Sequence, residues 1–466
     1  MKVNHFVFSD VCAFAAVSCG RSVECSVPAS IKGGEIVTVE PARAAGQESA
    51  LLLACEPVDT VRVAFVGIGD RGRAAVKRWT QQEGVRIVAL CDVREECVER
   101  CLEIISKAGL PAARSYVGEE AYKAVCKAGD INLVYIATDW DHHVPVAMEA
   151  MRCGKHAAIE VPSAMTLKDC WDLVDMCERT RLHCIPLENC CYDFFELACL
   201  NMAEKGLFGE LYHAEGAYIH NLVPFWKVYW DMWRIKYNQK FRGDNYPTHG
   251  FGPICQAMHI HRGDRMTTLV SMDTDAFNSL AQGRDCLGED LQEFANGDHT
   301  ISLVRTQKGK LMEVQHNVYA SRPYSRMYQL TGTKGFANKY PVYGLALEGD
   351  AVPEGVDAEN LEAEKFMPAD LMNKLLDDYK PDFVKQIEGK ARKVGGHGGM
   401  DFIMDYRLIR SLLEGAPMDM DVYDLADWCC LQERSRLSLE NGSTPVRVPD
   451  FTRGDWDRLD GVQFLK

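Results

Sequence analysis

The stretch from Val61 to Asp92 constrains this chain more than any other. Val61 to Phe65 is mostly apolar and reads as a buried strand. Gly67, Gly69 and Gly72 follow at once in G-x-G-x-x-G spacing. Ala75, Val76 and Trp79 then share one side of a helical segment, and a second apolar strand, Val85 to Leu90, ends in Cys91-Asp92. In such a strand–turn–helix–strand unit the first glycine permits a tight turn. The second lets backbone approach a pyrophosphate, and the third lets helix and strand pack closely. N–H groups at the helix start face the phosphate charge. Asp92 stands twenty residues after Gly72, where an acid binds the ribose hydroxyls of NAD. A 2′-phosphate would meet that carboxylate, so the pattern favours NAD over NADP, a preference that Arg94 nearby tempers.

The alternation of strand and helix continues to residue 187. Glu95 to Ala108 and Gly118 to Ala128 read as helices, and Gly109-Leu110-Pro111 stops the first. Ile131 to Ala137 is a continuous apolar run, as expected of a strand buried on both faces. Thr138 to His143 then lies beyond its carboxyl end, where open α/β sheets bind ligands. His143 to Cys153 and Leu167 to Thr180 read as helices, Ala157 to Glu160 and Leu182 to Leu187 as strands. This spacing predicts an α/β fold whose N-terminal part, 59–187, is a doubly wound parallel sheet of the Rossmann type. After 188 the pattern changes. Phe194 to Lys205 reads as a helix, and period-two runs follow at Gly209–Ile219, Thr267–Ala276, Thr300–Thr306, Lys310–Val318 and Arg326–Thr331. They predict an α+β second domain, 188–466, on one large, mostly antiparallel open sheet. Residues 349–364 read as an acidic surface loop and Leu371–Ile387 as one helix. Gly399–Leu413 reads as another helix and Leu437–Phe451 as an extended tail.

Residues 1–58 form a leader. Phe6 to Val17 is apolar except for Ser9 and Asp10 and leads to Cys19, a loose likeness to an export signal. The alternative is a loosely packed segment. The 19 cysteines contain no C-x-x-C pair and many sit in apolar company, which favours a thiol-keeping, cytoplasmic setting and leaves export open. Net charge is −15 with acids and bases interspersed, which disfavours nucleic acid or anionic membrane as partner. No run approaches the length of a membrane span. No metal is expected: Cys97 and Cys101 lack further ligands nearby, and His259 and His261 would diverge on a helix.

The segments GIGDRG (67–72), ATDWDHH (137–143), GKHAAIEVPSA (154–164), ENCCY (188–192), YPTHGFGP (246–253) and GGHGGMDF (395–402) together resemble the Gfo/Idh/MocA oxidoreductases. More closely, the chain looks like glycoside hydrolase family 109, the NAD-dependent α-N-acetylgalactosaminidases, over about 59 to 466. Dehydrogenases of the superfamily carry Glu-Lys-Pro where this chain has Glu160-Val161-Pro162, and an Asp where it has Asn245. The resemblance implies hydrolysis of terminal N-acetylgalactosaminides through a cycle of oxidation, elimination, addition and reduction on tightly bound NAD. The competing expectation is an NAD-dependent sugar or cyclitol dehydrogenase. By resemblance, Gly67, Gly69, Asp70, Arg71, Gly72, Asp92, Trp140, Asp141, His142, His143, Glu160, Val161, Asn189 and Tyr246 line the cofactor site. Tyr218, Arg234, Tyr246, Pro247, Thr248, His249 and Tyr324 meet the sugar. His249, Tyr192 and Tyr246 are the expected proton-transfer residues.

On the residues alone, His249 lies in a stretch too broken by Pro247, Gly250 and Gly252 to read as a regular helix. Phe225 to Phe241 holds seven aromatics, which suits either a sugar-stacking surface or a core or homo-oligomer interface segment.

Overall fold

A computed structural model describes residues 25–353, 361 and 364–465. The parallel sheet forms as its apolar runs predict. Its six strands lie in the order Arg114–Val117, Val85–Asp92, Val61–Val66, Leu133–Ile136, His156–Ile159 and Cys184–Pro186, all parallel. Leu133 to Ile136 is fully buried, because helices cover both faces. Strand order reverses between Val61–Val66 and Leu133–Ile136, and this is where an open α/β sheet forms its crevice. The strand Arg114–Val117 went unread in the sequence. It is a four-residue edge strand with exposed side chains, and so carries no apolar signal.

The second sheet has ten strands. From one edge they are Ala29–Lys32, Glu35–Thr38, Val446–Arg447, Met266–Asp273, Thr300–Thr306, Leu311–Asn317, Leu211–Ile219, Gln329–Gly332, Gly335–Asn338 and Gly344–Leu347. Neighbours are antiparallel except Leu311–Asn317 beside Leu211–Ile219, and Val446–Arg447 beside Glu35–Thr38. One face packs on helices and the other is open, so Leu269 and Val304 are buried while Met272 and Leu303 are exposed. Ser271 and Ser302 also point inward and satisfy each other at 2.7 Å. One continuous apolar core joins both sheets.

Three expectations are corrected. Residues 25–58 are not loosely packed: the hairpin Ala29–Thr38 extends the second sheet, and Ser26 bonds to Glu433 through both N–H and Oγ. The export reading of residues 6–19 falls outside the described residues, as does most of the acidic loop 349–364. Leu371–Ile387 is two helices, Ala369–Asp378 and Asp382–Val394, because Pro381 cannot continue the first. The tail is not extended from Leu437: a helix, Leu431–Glu440, covers the strand Met266–Asp273 before the short strand Val446–Arg447. No helix among the described residues is long and apolar enough to cross a membrane.

Candidate active site

The Gly67–Gly72 turn stands at the reversal of strand order. Gly67 has φ +79°, and a Cβ there would meet the Thr138 nitrogen at 2.5 Å. A Cβ on Gly72 would lie 2.0 Å from the Gly67 carbonyl oxygen. No side chain caps the helix Asp70–Trp79, which leaves its first N–H groups to an acceptor from elsewhere. Asp92 is 7% exposed; its Oδ2 accepts from Ile68 N–H at 2.8 Å and its Oδ1 from Arg94 N–H at 3.0 Å. A pinned turn, an uncapped helix and a fixed acid at the next strand end suit a dinucleotide.

The residues expected beside the nicotinamide form a network across the two domains. Glu160 Oε1 accepts from Arg71 Nε at 2.7 Å and from the Tyr135 hydroxyl at 2.8 Å. Arg71 Nη1 donates to Asp401 Oδ2 at 2.8 Å, and Asn189 Nδ2 donates to Asp401 Oδ1 at 2.5 Å. Burial alone would raise the Asp401 carboxyl, but Arg71, His397 and Arg78 hold it well below the usual range. The Arg71 side chain therefore ties the first helix to the helix Met400–Glu414. Val161 precedes Pro162 through a cis bond. His143 is buried, with Nδ1 2.9 Å from the Pro162 carbonyl and Nε2 3.1 Å from that of Thr138, so its ring braces that turn. Exposed His142 pairs with the helix-capping Asp139 at 2.5 Å, a bond that raises its pKa. Asp70 pairs with Arg73 on the surface, and Asp141 is exposed. Trp140 turns toward the second domain, 4.9 Å from Trp233 and 6.0 Å from Tyr246 between ring centroids.

The structure gathers most of the expected sugar-side residues. Tyr218 and Tyr246 stack at 4.5 Å, and the His249 ring meets their edges or faces at 5.2 and 4.8 Å. The Tyr218 hydroxyl lies 2.9 Å from His220 Nδ1, and Tyr324 closes on His220 at 5.2 Å. The Arg234 guanidinium is 4.7 Å from the Tyr246 ring centre and 5.2 Å from that of Trp140. It donates to the Tyr229 hydroxyl at 3.0 Å, and among the described residues no carboxylate pairs with it. Four of the seven aromatics of the stretch, Trp226, Tyr229, Trp233 and Tyr237, share a core with Trp140, Tyr218 and Tyr246.

His249 corrects the reading of its own segment. Thr248–Ala257 is a helix, and its glycines are contact points: a Cβ on Gly250 would lie 2.2 Å from Ala217 N, and one on Gly216 would lie 2.2 Å from Gly250 O. The helix that carries His249 thereby docks directly on the strand that carries Tyr218. Pro247 precedes that helix, and Thr248 is fully buried in its first turn. His249 Nδ1 lies 2.7 Å from Glu188 Oε1, and Nε2 lies 3.4 Å from the Tyr246 hydroxyl.

Tyr192 is not brought to this group by any hydrogen bond. It ends the turn Asn189–Tyr192, and its hydroxyl donates to Asp419 at 3.2 Å, an acid already paired with Arg407. Burial and that carboxylate push the phenol well above its ordinary pKa. Two clusters among the described residues have ligand atoms close enough for a metal. In Glu188–Cys190–His249 the acid and imidazole bond each other, and in His261–Asp421–Asp424 Arg262 already grips Asp424 through two bonds. Sequence spacing missed Glu188, His220, His397 and Asp401 as site residues. Three of them, Glu188, His397 and Asp401, fall in segments that carry the resemblance, but they meet partners far away in sequence, His249 for Glu188 and Asn189 for His397 and Asp401.

A family model described as "Glycosyl hydrolase 109, C-terminal domain" matches residues 192–458, and one described as "Oxidoreductase family, NAD-binding Rossmann fold" matches 61–186. The chain belongs to glycosyl hydrolase family 109. Family 109 relatives include "Glycosyl hydrolase family 109 protein 1" of Phocaeicola vulgatus, 54% identical over 90% of each chain. Another is the "Glycosyl hydrolase family 109 protein" of Porphyromonas gingivalis, 52% identical over 98% of each chain. Solved structures share the fold at low identity. An NAD-binding oxidoreductase from Klebsiella pneumoniae gives TM-score 0.61 at 16% identity, covering 84% of this chain and 100% of that one. Myo-inositol dehydrogenase from Lactobacillus casei, in complex with NAD(H) and myo-inositol, gives 0.55 at 17%, covering 84% and 99%. This family 109 chain is thus an NAD-dependent glycosidase, its cofactor held on the Rossmann domain.

Proposed function

We propose that this glycosidase hydrolyses terminal α-N-acetylgalactosaminides, and that Tyr246 and His249 move the protons. One observation carries the proton assignment: Tyr246, His249, Tyr218 and Arg234 converge in a single cluster beside the Rossmann strand ends. Two free carboxylates flanking a glycosidic bond are the usual alternative. Glu160 is held by Arg71 and Tyr135, and Glu188 is buried behind His249, so neither supports that reading. Support for the sugar comes from the family and from the polar, aromatic surroundings of Arg234, whose guanidinium has no acid partner among the described residues.

The Gly67–Gly72 turn and Asp92 would hold NAD, and the bound cofactor would supply reversible hydride acceptance at C3 of the sugar; a ketone there acidifies the C2 proton. Tyr246 takes that proton: its hydroxyl faces an imidazole that can accept its own, and the Arg234 guanidinium beside its ring offsets part of the burial that pushes the phenol up. His249 gives a proton to the departing glycosidic oxygen as general acid. Arg234 and Tyr218 orient the sugar. The test is incubation with an aryl α-N-acetylgalactosaminide and no added cofactor. Release of aryl alcohol without net reduced nicotinamide is expected. Stoichiometric reduction of NAD by a free sugar or polyol, with no aryl alcohol released, would mean a dehydrogenase instead.

A further inference from the structure

We propose that Tyr246, His249 and Glu188 act as one proton relay, with Glu188 a positioning residue that keeps a proton on His249 Nδ1 and leaves Nε2 to accept from Tyr246. This rests on the glycosidase reading above, and it adds a residue that sequence comparison with the expected site did not supply.

The geometry is specific. Glu188 is fully buried at the end of the last parallel strand, and its Oε1 accepts from His249 at 2.7 Å and from Cys190 N–H at 3.0 Å. The approach depends on Gly252, where a Cβ would lie 3.2 Å from Glu188 Cγ. The groups that face this carboxyl are His249, the Thr248 hydroxyl, the thiols of Cys190, Cys191 and Cys429, and Tyr246. Of these only His249 can carry positive charge. Burial alone would push Glu188 up, but His249, Thr248 and the Cys190 N–H hold it below the usual carboxylate range.

An ionised carboxylate can only accept, so the proton between them belongs to Nδ1. In a neutral ring Nε2 is then the acceptor, and the Tyr246 hydroxyl 3.4 Å away is its donor. Such bonds are long in ligand-free sites and tighten around substrate. Burial pushes the Tyr246 phenol well up, so alone it is a poor base. The relay removes that difficulty. The C2–H bond breaks as its proton passes to the Tyr246 oxygen, and the Tyr246 proton passes to Nε2. The electron pair left at C2 forms the C1–C2 double bond as the C1–O bond breaks. The imidazolium, stabilised by Glu188, returns its Nε2 proton to the leaving oxygen. One proton leaves carbon and one reaches oxygen.

The test uses the holoenzyme. Glu188→Gln keeps shape but removes the charge that fixes the tautomer, and kcat on the aryl glycoside is expected to fall by about 100-fold or more. KM and bound NAD should stay within about twofold, and Glu188→Asp should recover part of the loss. A folded Glu188→Gln enzyme with kcat within about threefold of the parent would overturn the relay. If that variant does not fold, proton NMR of the parent decides. A strongly downfield, slowly exchanging Nδ1 proton, lost in His249→Asn, supports the relay, and its absence overturns it. If the parent releases no aryl alcohol, the glycosidase reading fails, while the Nδ1 resonance still reports on the Glu188–His249 bond.

Discussion

Asp92 was legible because the Gly-rich fingerprint fixes both its distance and its chemistry. In the folded chain it also accepts two N–H groups, so it braces the turn expected to hold the dinucleotide. Asp92→Ala should lower NAD affinity by roughly ten- to a hundredfold, since hydrogen bonds to a charged group contribute ~1.5–3 kcal/mol. Dinucleotide content after extensive dialysis, read by mass spectrometry, checks this. Tyr192 and Tyr246 separate more sharply. Sequence likeness placed both at the chemistry, but side-chain direction after a tight turn is not written in a motif. Tyr246→Phe should abolish measurable turnover while NAD stays bound. Tyr192→Phe should remove the bond to Asp419, costing about 1.5–3 kcal/mol of stability, and leave kcat near the parent value. Equal losses of kcat in the two variants would return Tyr192 to the reaction. Glu188 was illegible for a simpler reason: its partner is 61 residues away, and only the fold brings them together.

Elements were legible where apolar periodicity is strong. The inner parallel strands read as continuous apolar runs because both faces are covered, whereas the helix Thr248–Ala257 was hidden by Gly250, Gly252 and Pro253. Those glycines lower intrinsic helix preference, and what they gain is close approach: Gly250 to Gly216 and Ala217, Gly252 to Glu188 and Trp428. Gly250→Ala should therefore overpack the helix–strand contact by about 1–3 kcal/mol or more and shift His249 away from Tyr218. Activity should fall steeply in a variant that keeps its dinucleotide, because the turn at Gly67 belongs to the other sheet. A fully active Gly250→Ala enzyme would mean the contact is not what sets the site. The aromatic segment also reaches across to the Rossmann domain: Trp230 lies under the Arg94 guanidinium at 4.6 Å, beside Asp92.

For the whole molecule, composition and alternation predicted two sheets, but not that the hairpin Ala29–Thr38 would complete the second. That hairpin is short, with Ala29 to Lys32 exposed, and joins its sheet through a two-residue strand from the far end of the chain. Global stability should carry a pH signature from Asp244. Burial pushes its carboxyl up to about 7, although the Tyr246 N–H bond opposes this. A folded pKa raised above the unfolded one means the native state binds the extra proton. The associated stability is present at low pH and is lost as pH rises from about 4 through about 7. Asp244→Asn should therefore raise the melting temperature above pH 7 and change it little near pH 4, as read by thermal unfolding. The central claim, that the bond is broken by making C2–H acidic rather than by acid-assisted displacement at C1, bears on all three scales. It is tested most directly with matched aryl O- and S-glycosides of N-acetylgalactosamine, the sulfur compound being resistant to acid assistance. The account predicts that the enzyme cleaves both; cleavage of the oxygen glycoside alone, with the thioglycoside bound but inert, would contradict it.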